Sequence, residues 1–182
     1  MRLLASCNLN SDDLIVDAGA GVSTFVEALL AQGHMNITAI DISAEALGAL
    51  RARLGQDAAR VNYVVADLAH DNLQLRDVAL WHDRAVLHFF TNPADRETYL
   101  ATIRRALRSD GYAIIATFAP AGAPQCSGLD VTRYDPGELT ELMGSGFELV
   151  EAFDYLYQRP DGDVRPFTYT LFRRVGVEAS QS

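Results

Sequence analysis

The sequence predicts an α/β fold, an open and mostly parallel sheet flanked by helices and closed by an antiparallel hairpin. Three observations predict it. The stretch Leu14-Ile-Val-Asp-Ala-Gly-Ala-Gly-Val-Ser-Thr24 reads as a buried strand ending on an acid, then a glycine-rich turn, then an apolar helical run from Phe25 to Ala31. Strand, glycine turn and helix in that order form a nucleotide-binding element of an open α/β sheet. Further short apolar runs, several ending on acids, alternate downstream with segments of helical periodicity. Near the end, two strand-like runs flank the turn signal Pro160-Asp-Gly162.

Taken in order, residues 2–9 read as the last turns of a helix, and Asn10 to Asp13 as a polar connection into the first strand. The helix after Gly21 should stop at Gly33, a residue suited to the position after a helix end. Asn36 to Asp41 is a second strand ending on an acid. Ser43 is an N-cap for a helix with Leu47, Leu50 and Leu54 on one face, closed by Gly55. Val61 to Asp67 is a third strand and Val78 to Trp81 a fourth, reaching His82-Asp-Arg84. Asn92-Pro93 starts a helix with Tyr99, Leu100, Ile103 and Leu107 on one face, broken by Ser109-Asp-Gly111. Tyr112 to Phe118 is a fifth strand, and 119–133 a long loop. Asp135-Pro-Gly-Glu138 is a capping box opening a short helix to Met143. The hairpin strands are Phe147 to Tyr157 and Val164 to Arg174. The chain reads as one domain over residues 1–174 with a flexible tail at 175–182.

Composition narrows the function. Of 182 residues, 49% are hydrophobic, which suits a folded domain with a core. There are 15 basic and 24 acidic residues, a formal charge of −9, which argues against nucleic acid as a partner. Every basic residue is Arg, so Schiff-base and P-loop lysine chemistry are excluded. Cys7 and Cys126 lie far apart without zinc-ligand spacing, so no metal is expected. With two isolated cysteines, no signal-peptide pattern and no apolar run of membrane-spanning length, a cytoplasmic location is expected.

The turn admits a dinucleotide or a sulfonium nucleotide. The third glycine of a G-x-G-x-x-G fingerprint is missing, since Thr24 stands there. Asp17 just before the turn is a poor neighbour for pyrophosphate but suits the ammonium of an amino-acid moiety, which S-adenosylmethionine carries. Asp41 lies where an acid accepts ribose hydroxyls, about 20 residues on. Asp67 ends the third strand, where a carboxylate can accept an adenine amino group. A base is needed only for an acceptor that holds a proton, and the candidates follow the fourth strand: His82, Asp83, Arg84 and His88. Each of the two histidines has a competing reading as part of a structural polar network. Trp81, Phe89 and Phe90 read as core, Cys126 and Ser127 as the border of an acceptor pocket, and His34 and His70 as surface loop residues.

On these residues the chain resembles class I S-adenosylmethionine-dependent methyltransferases. The resemblance spans residues 3–174 and is sharpest at Asp17-x-Gly19-x-Gly21, at Leu80 to Phe90, at Ala116-Thr-Phe118 and at Cys126 to Leu129. It implies a Rossmann-like seven-stranded sheet of order 3-2-1-4-5-7-6 with strand 7 antiparallel. It also implies cofactor contacts from Asp17, Gly19, Ala20, Gly21, Ser23, Asp41, Ile42, Asp67 and Leu68. The product would be S-adenosylhomocysteine, and the acceptor a small molecule or a protein. Relatives carry an N-terminal segment that folds over the cofactor, whereas about a dozen residues precede the first strand here. The expectation is that either the site is unusually open, or a partner covers it, or the chain is an incomplete version of its gene product, and the alternative function is a cofactor-binding relic with little transfer. A nicotinamide-dependent oxidoreductase is the third reading.

Overall fold

The computed structural model describes residues 2–21, 23–159 and 162–176. In chain order the elements are a 3₁₀ turn (Leu3–Ser6), β1 (Leu14–Ala18), α1 (Phe25–Ala31), β2 (Ile37–Asp41), α2 (Ala44–Leu54), a 3₁₀ segment (Gly55–Arg60) and β3 (Val61–Val65). Then follow β4 (Val78–Arg84), a 3₁₀ turn (Leu87–Phe89), α3 (Pro93–Ala106), β5 (Leu107–Phe118), β6 (Gln125–Cys126), β7 (Leu129–Asp130), α4 (Pro136–Met143), β8 (Phe147–Gln158) and β9 (Val164–Arg174).

Seven strands form one sheet in the order β3-β2-β1-β4-β5-β9-β8, while β6 and β7 pair only with each other. With those two-residue strands set aside, the order is the expected 3-2-1-4-5-7-6. The pairs β1–β2, β1–β4, β2–β3 and β4–β5 are parallel, and β9 runs antiparallel to both β5 and β8.

The inner strands are apolar on both faces because both are covered. On one face Val26 and Leu29 of α1 and Leu47 and Leu50 of α2 pack with Ile15, Ile37, Leu80 and Ile114. On the other, Leu100 and Ile103 of α3 and Leu139 and Met143 of α4 pack with Val16, Trp81, Ala113 and Ile115. Alternation along each strand therefore decides which layer a side chain joins. The parallel strands all deliver their C-terminal ends to one edge, so Asp17, Asp41 and His82 to Arg84 arrive together.

The capping signals hold. The Ser43 side chain accepts from the Ala46 N–H, Asn92 accepts from Ala94, and Asp135 and Glu138 form a reciprocal capping box. Four expectations change. Residues 2–9 contain a single 3₁₀ turn rather than helix ends. Strand β3 stops at Val65, so Asp67 lies beyond it. Helix α3 already ends at Ala106, and Leu107 opens β5, with Arg108 to Gly111 accommodated as an irregularity between the Val78–Leu107 and Leu80–Tyr112 pairings. His34 is buried, with Nδ1 lacking a partner, because the turn after α1 folds back to its own helix through the bond from His34 N–H to Leu29 O. His70 is exposed as expected. The expected tail falls mostly outside the described residues, at 177–182.

Candidate functional site

The glycine turn is built by steric exclusion. Gly19 has φ +67°, and a Cβ there would lie 2.2 Å from Val86 Cγ2. Gly21 has φ +42°, and a Cβ there would meet Asp41 Oδ2 at 3.3 Å. Both positions combine left-handed backbone with close approach, the two conditions only glycine meets without strain. Ala20 is fully buried and its N–H donates to Ile40 O (2.9 Å), tying the turn to β2. Ser23 Oγ accepts from the Phe25 N–H (3.0 Å) at the start of α1, and its carbonyl accepts from Arg53.

Two acids fix this turn in different ways. Asp41 Oδ2 accepts from the Gly21 N–H (2.9 Å) and Oδ1 from the Ser43 N–H (2.8 Å), bridging the turn to the start of α2. Asp17 is buried. Its Oδ1 receives a hydrogen bond from His82 Nδ1 (2.7 Å), whereas Oδ2 is buried with no partner among the described residues. In the neutral ring bonded to a carboxylate, Nδ1 carries the hydrogen and Nε2 is left as an acceptor. Phe25 stacks on the His82 ring at 3.8 Å, which holds its plane.

A cleft of about 1100 Å³ opens from this turn across the edge of the sheet. Asp17, Gly19, Gly21 and Ser23 line one end, and His82 stands between them and a second end formed by Arg84, Phe89, Tyr155, Tyr157 and Tyr169. Arg2, Leu3 and Leu4 of the N-terminal turn also line it, so the expected openness is partial: that turn forms one wall. Ser127 (φ +52°) and Gly128 (φ +80°) make the tight turn of the β6–β7 hairpin, which brings Cys126 and Ser127 to the rim.

Of the four candidates at and after β4, Asp83 and His88 are not among the residues lining the cleft. Asp83 is fully buried on the opposite layer from His82. Its oxygens accept from the Val86 N–H (2.8 Å), the Leu87 N–H (3.0 Å) and the Tyr99 hydroxyl (2.7 Å), itself bonded to Trp81 Nε1 (3.0 Å). Burial pushes the Asp83 carboxyl up to about 6 against these donors. Its place is structural. It holds the loop in which Ala85 has φ +71° and so presses Val86 against Gly19. His88 is likewise fully buried between Phe89 and Phe118, with Nδ1 3.5 Å from the Phe118 N–H, and burial pushes its pKa down to about 4. A neutral imidazole with no route to the cleft backs the loop rather than taking protons in it.

On the expected adenine side, Asp67 lies in a loop turn beyond β3. Asp67 Oδ1 accepts from the Ala69 N–H (2.9 Å) and Oδ2 pairs with His70 Nδ1 (3.0 Å). Burial raises its pKa, but these bonds outweigh that and lower it overall. The carboxylate closes a loop turn and, like that of Asp41, is not among the groups lining the cleft. Leu68 is a core residue, and the Ile42 side chain is 69% exposed beside Asp41. Trp81 is core as expected, and Phe90 packs on Tyr99, but Phe89 lines the cleft.

Sequence reasoning missed Phe25 and the aromatic wall. The signal was present: Phe153, Tyr155 and Tyr157 recur at every second residue of β8, opposite Phe167 and Tyr169 of β9, so one sheet face carries five rings.

Residues 15–111 match the family model described as methyltransferase domain, more than half of the 182 residues. The chain belongs to this methyltransferase-domain family. The matched segment holds the whole glycine turn, Asp41, and His82 to His88. Over 156 residues the chain is 26% identical to EEF1A lysine methyltransferase 2 of Danio rerio, covering 82% of this chain and 61% of that relative, less than two thirds of its length. A 1,6-didemethyltoxoflavin-N1-methyltransferase of Burkholderia thailandensis, solved with 1,6-didemethyltoxoflavin and S-adenosylhomocysteine, is 26% identical with a TM-score of 0.70, covering 91% of this chain and 72% of that one. A S-adenosylmethionine-dependent methyltransferase of Methanosarcina mazei shares the fold, with a TM-score of 0.75 at 18% identity, 96% of this chain and 98% of that one. The seven-stranded Rossmann-like arrangement is thus that of this family. Among the described residues no helix is long and apolar enough to cross a membrane, and no cluster of potential metal ligands occurs.

Proposed function

We propose that this protein is a S-adenosylmethionine-dependent methyltransferase whose cofactor lies over the glycine turn and whose acceptor enters from the aromatic end of the cleft. The observation that carries the reading is Asp17 Oδ2, a buried carboxylate oxygen without a partner beside a glycine cradle. An orphaned acceptor of this kind costs about 1–3 kcal/mol unless something donates to it. The ammonium of an amino-acid moiety is such a donor, and a pyrophosphate is not. Asp41 keeps unused lone pairs beside its two backbone donors, and these suit ribose hydroxyls.

When bound, S-adenosylmethionine supplies a methyl carbon activated by a positively charged sulfur leaving group. The chain's own residues contribute position and proton handling. Asp17 and the turn fix one reactant, which makes alignment for in-line displacement available. Such alignment is worth up to about 7–11 kcal/mol through effective molarity. His82 Nε2, left as an acceptor by the bond of Nδ1 to Asp17, receives the proton of an acceptor N–H or O–H. Its tautomer and plane are already set by Asp17 and Phe25, so no reorganisation precedes that transfer.

Titration calorimetry with S-adenosylhomocysteine, followed by a methyl-transfer assay over a panel of small molecules and peptides, tests the reading. Saturable one-to-one binding with turnover on one acceptor class is expected. Binding of a nicotinamide nucleotide instead, with no heat from S-adenosylhomocysteine, would overturn it.

A further inference from the structure

The far end of the cleft has a chemistry of its own. Arg84 leaves β4 into it, with its guanidinium 4.6 Å from the Tyr157 ring centroid and 5.6 Å from that of Phe167. No carboxylate among the described residues pairs with Arg84, although the chain carries a formal charge of −9. The other charged groups near it are already committed. Arg2 is bound by Glu151 (2.6 Å) over Phe153. Asp154, between Phe153 and Tyr155, also lines the cleft, but its carboxylate accepts from the buried Thr168 hydroxyl (3.2 Å), on the strand face opposite that of the rings. Around Arg84, Phe153 and Tyr169 stack at 5.4 Å with planes 4° apart, while Tyr155 stands edge-on to Tyr169 at 6.0 Å. Half of Tyr155 is exposed. At about 1100 Å³ the cleft slightly exceeds the usual range for small-molecule sites of about 300–1,000 Å³, which leaves room for a second molecule beside a nucleotide.

On the reading of the cleft as a methyl-transfer site, we propose that the acceptor is a flat aromatic or heteroaromatic small molecule with an anionic edge. The ring lies along the Tyr155–Tyr157–Tyr169 wall, and the anionic edge meets the Arg84 guanidinium. Planar rings gain from offset or edge contacts with such a wall. The planar fork of arginine matches a carboxylate or a similar oxyanion. His82 sits between this wall and the glycine turn, where the proton-bearing atom of such a ring would come to lie.

The test uses quinoline-2-carboxylate as the probe, with cyclohexanecarboxylate (same charge, not flat) and benzylammonium (flat, opposite charge) as comparators. Affinities are measured by calorimetry or saturation-transfer NMR with and without S-adenosylhomocysteine. The quinoline acid should bind at least about tenfold more tightly than benzylammonium, the scale of one charge-assisted bond, and several-fold more tightly than cyclohexanecarboxylate, the scale of aromatic ring contacts. Arg84→Gln, its fold checked by its melting temperature, should lose about tenfold or more of that affinity, and Tyr157→Leu should narrow the gap to cyclohexanecarboxylate. Equal binding of the three probes, or an Arg84→Gln variant that binds the quinoline acid as well as the parent does, would overturn the proposal. Failure of S-adenosylhomocysteine to bind, with the probe preference intact, would overturn the cofactor assignment and leave this one standing.

Discussion

Replacing Gly19 by alanine probes the turn where it is tightest. The new Cβ would sit 2.2 Å from Val86 Cγ2 at φ +67°, so two costs arise together. Left-handed backbone with a side chain costs about 1–2 kcal/mol. Overpacking of a held contact costs about 1–3 kcal/mol, and Val86 is held, because its N–H is bonded to the buried Asp83 carboxylate at 2.8 Å. The expected loss of folding stability is therefore about 2–5 kcal/mol by urea denaturation, with weaker S-adenosylhomocysteine binding by calorimetry. The double variant Gly19→Ala with Val86→Ala should recover the steric part and retain the backbone part, so a double-mutant cycle separates them. A Gly19→Ala protein within about 0.5 kcal/mol of the parent, with unchanged affinity, would refute the reasoning that the turn is shaped by this contact.

Three further outcomes follow from the same geometry. Asp17→Asn should weaken S-adenosylhomocysteine binding by about 1–3 kcal/mol in calorimetry, the range for leaving a buried partner unmet, and unchanged affinity would remove Asp17 from the site. Burial holds His88 neutral in the fold, with its pKa near 4 rather than 6.5, so it contributes stability above the unfolded value that is lost as pH falls from about 6.5 towards 4. Asp83, raised from 3.8 to about 6, acts in the opposite sense and loses its contribution as pH rises through that window, so each offsets the other by about 3 kcal/mol. His88→Gln should accordingly uncover stability that rises on acidification from pH 6 to 4, read from melts across that range. A flat profile would contradict it. Asp135→Ala removes the side-chain acceptor of the Glu138 N–H, one half of the capping box, and should cost about 1 kcal/mol in chemical denaturation, with little effect on ligand binding.

How far the sequence carried the fold depended on whether a signal was local. The capped helices at Ser43, Asn92 and Asp135 and the inner strands were legible because capping and apolar runs act within a few residues. The α3–β5 junction was misread because Gly111 looked like a helix stop, whereas Ala106 passes directly into the strand and the irregularity at 108–111 is absorbed by pairing with β4. The glycine turn and the acid that ties it to β2, Asp41, were legible because their spacing is fixed. The burial of Asp83 and His88 was not, since strand alternation turns Asp83 into the opposite layer and His88 is enclosed between Phe89 and Phe118, which depends on packing across the sheet. Asp67 reads as a strand-end acid only if β3 extends to it. It stops at Val65, and the carboxylate closes a local turn with Ala69 and His70. The aromatic wall was written as a period-two pattern in β8, but its meaning arises only when β9 pairs beside it and brings Arg84 underneath.

The central claim is that Asp17 receives the ammonium of a sulfonium nucleotide above the glycine turn. A crystal structure of the protein with S-adenosylhomocysteine tests it most directly. The account predicts the amino group of the ligand within about 2.7–3.2 Å of Asp17 Oδ2, and its sulfur facing His82 and the aromatic end. A ligand whose amino group lies away from Asp17, or one seated outside the cleft between the glycine turn and Tyr169, would contradict it.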